Sequence, residues 1–79
     1  MKYPIVYEGT EDDGDATVAE WLAQVGDEVA EGQTIVEIDV EKVIVEIYSP
    51  ATGTLVQIDC QIDDDVAPGT VLGQVEDAN

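Results

Sequence analysis

Histidine and phenylalanine are absent, cysteine occurs once, and lysine and arginine together number two in 79 residues. Each absence excludes something. Without histidine the chain lacks the commonest general base and metal ligand. A catalytic cysteine would want that base, so Cys60 is read as an inert thiol, sharing the buried face of Val56 and Ile58. One cysteine closes no disulfide within the chain, which fits a reducing compartment. Nineteen acids against two bases, Lys2 and Lys42, leave a net charge of −17. Nucleic acid and anionic membranes both call for Lys and Arg, so neither is expected as a partner. No apolar run approaches a membrane span, and Met1-Lys2-Tyr3-Pro4 leads into no signal sequence. No nucleophile–base pair and no metal cage is present, so an independent enzyme is not expected.

The acidity itself has two readings. It can steer a basic partner, or it can simply keep the protein soluble or suit a salty cytoplasm where screening is strong.

What remains is aliphatic and β-branched. Apolar residues make up 44% of the chain, mostly Val and Ile, and favour strands. Ile35 to Tyr48 reads at first as one long strand, but its alternation slips. Val36, Ile38 and Val40 occupy even positions, whereas Val43, Val45 and Ile47 occupy odd ones. Side chains alternate faces with period 2, so the chain must double back at Glu41-Lys42. Two strands joined by a tight hairpin, with Lys42 at the tip, account for the slip.

Upstream, Tyr3, Ile5 and Tyr7 share one face of a strand that Pro4 marks as an edge. Residues 8–15 hold five carboxylates and two glycines, an exposed acidic loop without the spacing of a calcium-binding loop. Ala16 to Val25 fits a helix or a strand. An internal repeat decides: shifted by 37 residues, Val18–Val25 lies over Leu55–Ile62, and Asp27–Gly32 lies over Asp64–Gly69. Ile58, Cys60 and Ile62 alternate as a strand does, so the first copy is read as a strand too. Turns fall at Gly26-Asp27, Glu31-Gly32-Gln33, Ser49 to Gly53 and Pro68-Gly69-Thr70. The repeat predicts two similar sheets packed face to face, each of about four strands, with Trp21 as the expected core anchor.

These residues resemble the lipoyl domain of the dihydrolipoamide acyltransferase subunit of 2-oxo acid dehydrogenase complexes. The resemblance runs from Tyr3 to Glu76 and rests on Ala19-Glu-Trp-Leu22, Val25-Gly-Asp-Glu-Val29, Glu31-Gly32, Glu41-Lys-Val43, Ser49-Pro50, Gly53-Thr54 and Pro68-Gly69. It implies a single domain over residues 1–79, with 77–79 a tail or the start of a linker. The implied fold is all-β: a flattened barrel or sandwich of two four-stranded antiparallel sheets related by a pseudo-twofold, a barrel-sandwich hybrid. It implies lipoic acid in amide linkage to Lys42. The lipoyl group would be reductively acylated by a thiamine-diphosphate-dependent decarboxylase and deliver the acyl group to coenzyme A at an acyltransferase domain. Dihydrolipoamide dehydrogenase would then re-oxidise it.

In such domains Asp39, Glu41, Val43, Gly32 and Gly53 would be read by the lipoate-attaching enzyme. The loop residues Glu8, Gly9, Thr10, Glu11 and Asp12 would be read by the decarboxylase. The isolated domain would be a monomer, cytoplasmic in a prokaryote or in the mitochondrial matrix of a eukaryote. Two alternatives stay open: a biotin carrier, although that family flanks its lysine with methionines, and an unmodified interaction module. Three positions depart from the family pattern. Glu41 stands where Asp is usual, Asp39 where Glu is usual, and Asp63 where glycine is usual.

Overall fold

The computed structural model describes residues 1–9 and 16–77. Eight strands are formed: β1 (Lys2–Val6), β2 (Ala16–Trp21), β3 (Glu28–Val29), β4 (Thr34–Val40), β5 (Val43–Tyr48), β6 (Gly53–Ile58), β7 (Asp65–Val66) and β8 (Val71–Asp77). They build two four-stranded antiparallel sheets, in the orders β1-β8-β6-β3 and β5-β4-β2-β7.

The 37-residue repeat reappears as symmetry. Buried Val18, Val29, Ile35 and Ile38 have buried equivalents in Leu55, Val66, Leu72 and Val75. The turns repeat as well. Gly26 N–H donates to the Leu55 carbonyl at 2.8 Å, and Asp63 N–H donates to the Val18 carbonyl at 2.8 Å. Asp27 Oδ2 accepts the Gln24 N–H at 2.9 Å, and Asp64 Oδ2 accepts the Gln61 N–H at 2.8 Å. The two copies are not the two sheets, however. Each copy lends its two-residue strand, β3 or β7, to the other copy's sheet. That exchange ties the halves into one hydrophobic cluster.

Four expectations are revised. The strand read through Ile58, Cys60 and Ile62 ends at Ile58, and Ile62 is exposed. A register shift between Leu55 and Gln57 puts Leu55 in the core and changes the phase of the residues after it; its twin falls between Val18 and Glu20. Trp21 is half-buried at the rim of the cluster, and the largest fully buried side chain is Tyr7. The indole is held by its polar edge, since Nε1 donates to the Cys60 carbonyl at 2.8 Å, and its ring lies 3.3 Å from where a Cβ on Gly73 would stand. A residue with a side chain at 73 would crowd the ring. Cys60 is only partly buried. Asp77, placed in a tail by the sequence, closes β8: it pairs with Gly53, and its carboxylate takes the Met1 amine at 3.2 Å.

Candidate functional site

The hairpin β4–β5 closes as the phase slip requires. Val40 pairs with Val43, leaving Glu41 and Lys42 as a two-residue loop. Both have positive φ, 50° and 71°, the signature of a type I′ turn. Asn-Gly is the usual sequence there because side chains resist this region. Glu41-Lys42 is therefore strained, and something must hold it. Asp39 does so: its Oδ1 accepts the Lys42 amide N–H at 2.8 Å. A short acid reaching back into a turn is a recognised turn device, so the sequence does carry this signal.

The result is an exposed lysine on a stiff pedestal. Among the described residues the Lys42 ammonium forms no ion pair. The residues flanking the tip are exposed too, Val43 at 64%. The four-carbon stem stands clear of the core with a primary amine at its end, which can form a stable amide with a carboxylic acid.

Asp39, Glu41, Lys42 and Val43 are thus brought together at the tip. Gly32 and Gly53 are not. Gly32 lies before the start of β4, with φ at +85°, and donates its N–H to the Ser49 carbonyl at 3.0 Å. Gly53 lies in the other sheet, opposite Val29 and Asp77, where a Cβ would land on the Glu76 carbonyl oxygen. Gly32 serves the backbone at the base of the hairpin, and Gly53 serves the close pairing of β6 with β8. Of the loop residues, Glu8 is exposed and Gly9 half-buried; Thr10, Glu11 and Asp12 lie outside the described residues.

The expected core face of β5 is largely in solvent. Ile47 is half-buried, whereas Val43, Ile44, Val45 and Tyr48 are exposed. The strand is an edge, and among the described strands β4 alone pairs with it. One acid on it has partners: Glu46 accepts from the Thr34 hydroxyl at 3.2 Å and from the Tyr48 hydroxyl at 3.4 Å. Burial, then the Asp64 and Asp59 carboxylates, push the Cys60 thiol above its ordinary pKa, so thiolate is scarce near neutrality.

The model of a family described as biotin-requiring enzyme, the biotin/lipoyl family, matches residues 5–75. The chain belongs to this biotin/lipoyl family. The dihydrolipoyllysine-residue acetyltransferase component of the pyruvate dehydrogenase complex of Corynebacterium glutamicum is 40% identical over 65 residues, 82% of this chain and 10% of that protein. The corresponding component of the acetoin cleaving system of Bacillus subtilis is 40% identical over 62 residues, 78% of this chain and 16% of that protein. The solution structure of the lipoyl domain of the 2-oxoglutarate dehydrogenase complex from Azotobacter vinelandii superposes with a TM-score of 0.73 at 29% identity, covering 95% of this chain and 99% of that one. The chain is a lipoyl domain of the acyltransferase-component type, a non-catalytic module. It spans only 10% and 16% of the length of these two relatives.

Proposed function

We propose that Lys42 carries lipoic acid in amide linkage and that the domain ferries acyl groups between the active sites of a 2-oxo acid dehydrogenase complex. The observation that carries this reading is the tip itself: an exposed lysine in a strained two-residue turn that Asp39 holds in place. Lipoate bound there supplies a dithiolane that takes up an acyl group together with two electrons. The protein supplies position. The turn fixes the backbone under the amine, and the exposed hairpin end keeps the attachment point away from the core. Tethering then gives the carried group a high effective concentration at each site the domain visits.

The partners that fit this role are a lipoate-attaching enzyme, a thiamine-dependent decarboxylase, an acyltransferase domain and dihydrolipoamide dehydrogenase. Relatives named for pyruvate and 2-oxoglutarate complexes support the class of partner and leave the 2-oxo acid open. Glu41 and Val43, where a biotin carrier would have methionines, favour lipoate over biotin. Intact mass after expression with lipoate, and separately with biotin, tests the choice. A lipoyl adduct alone supports the reading, and a biotin adduct alone overturns it.

A further inference from the structure

A sheet edge offers unpaired backbone groups, and natural edges are normally blunted by short length, by charge or by proline. Among the described residues this protein has four such edges. β3 and β7 are two residues long. β1 carries Lys2 and Pro4. β5 is neither short nor broken by proline, and its one charged residue is Glu46. It is six residues long, and five of them are Val43, Ile44, Val45, Ile47 and Tyr48.

The pseudo-twofold shows which way the free groups point. Pro4 pairs with Gln74, and Glu46 pairs with Glu37, 37 residues earlier. Glu46 is therefore the counterpart of Pro4, a residue with no N–H to offer. The alternation from the closing pair agrees. In a two-residue hairpin Val40 and Val43 bond to each other, so Val45 and Ile47 also face β4, and the amides of Ile44 and Glu46 face outward.

On the outward side of β5 no described strand pairs with it. A groove of about 540 Å³ runs between it and β1, walled by Val45, Ile47 and Tyr48 on one side and by Pro4 and Val6 on the other. Among the described residues, the charged ones lining it are Glu8 and Glu46, both acidic. A second copy of this chain would bring another Glu46 and a net charge of −17 to the same edge, so like charges disfavour it.

We propose that β5 is a strand-addition edge that takes an extended, basic segment of another protein. The segment's backbone pairs with Ile44 and Glu46, its apolar side chains enter the groove, and its cations meet Glu46 and Glu8. This goes beyond the carrier reading, and no part of it depends on whether Lys42 is modified.

The test is a titration of the 79-residue chain, followed by amide-resolved NMR, with a capped Lys-Val-Lys-Val-Lys-Val peptide and with its Glu-Val counterpart. The basic peptide is expected to shift amides of β5 and of Pro4's neighbours on β1, and to slow hydrogen exchange at Ile44 and Glu46. Glu46→Pro, which copies the blunted twin edge, is expected to remove this binding while far-ultraviolet circular dichroism stays unchanged. Should that variant fail to fold, Glu46→Gln is the second arm, expected to bind roughly threefold to tenfold more weakly. Equal binding of the acidic peptide, shifts centred away from β5, undiminished binding in a folded Glu46→Pro protein or in Glu46→Gln, or a wild-type dimer in sedimentation that protects Ile44 and Glu46 would each overturn the proposal.

Discussion

Asp39 and Lys42 are joined across the hairpin tip by a 2.8 Å hydrogen bond from the Lys42 amide to the Asp39 carboxylate. The bond opposes the strain of two successive residues in the left-handed region, where each side chain costs roughly 1–2 kcal/mol. Removing the acceptor with Asp39→Ala is expected to cost about 1 kcal/mol and to speed hydrogen exchange at Lys42. Asp39→Asn keeps an acceptor oxygen and should restore most of the protection. Equal exchange at Lys42 in Ala, Asn and wild-type proteins would show that the bond does not hold the turn.

Asp63 occupies the position that Gly26 occupies in the first copy, and it takes the same left-handed conformation with φ at 73°. Asp63→Gly relieves that strain and gives back a smaller amount in unfolded-chain entropy, roughly 0.5–1 kcal/mol. The net expectation is a gain of about 0.5 kcal/mol, or roughly 2–4 °C in melting temperature for a domain of this size. A fall in melting temperature would mean that the aspartate contributes something a glycine cannot.

Gly53 and Gly32 separate two reasons for a glycine. A Cβ at 53 meets the Glu76 backbone carbonyl, which cannot yield without parting β6 from β8. A Cβ at 32 meets nothing within 4 Å, and only its φ of +85° resists. Gly53→Ala should cost upwards of about 3 kcal/mol, and Gly32→Ala about 1 kcal/mol. Urea melts of the two variants measure the difference. Similar losses would contradict the distinction.

Glu20, Glu37 and Glu46 stand directly opposite one another across β2, β4 and β5. Their counterparts on the other sheet are Gln57, Gln74 and Pro4, all uncharged. The fold does not require acids there, and like charges opposite one another are unfavourable. Glu37→Gln should raise stability by about 0.5 kcal/mol at low salt. The gain should shrink as salt approaches about 1 M, where the screening length is only about 3 Å. A salt-independent gain would point to packing instead.

Much of this architecture was legible because it is periodic. The slip between Val40 and Val43 marked the turn, and the 37-residue shift paired Val18 with Leu55 from residue order alone. Non-local features were hidden. The register shifts on β2 and β6 break the alternation without altering composition, which made Ile62 look like a strand residue. The exchange of β3 and β7 depends on packing between halves. So does Trp21, whose rim position reflects the carbonyl its indole bonds and the space at Gly73. The apolar residues of β5 looked like core because a sequence does not say which strand lies at an edge. At the site, the turn at Glu41-Lys42 was legible from the phase slip, Lys42 and Asp39 were singled out by the family resemblance, and the bond by which Asp39 holds the turn was not foreseen. That Gly32 lies at the hairpin's base and Gly53 in the other sheet, neither at the tip, required the strand pairing.

The central claim is that Lys42 is a cofactor anchor. The chain carries its own control, because Lys2 is also exposed and is the only other lysine. The deciding measurement is fragment mass spectrometry of the protein after exposure to a lipoate-attaching enzyme, lipoate and ATP. One lipoyl amide on Lys42, none on Lys2, and none in Lys42→Arg is the predicted result. Modification of Lys2, or an unmodified Lys42 in a folded protein under conditions that lipoylate the Azotobacter vinelandii domain, would contradict it.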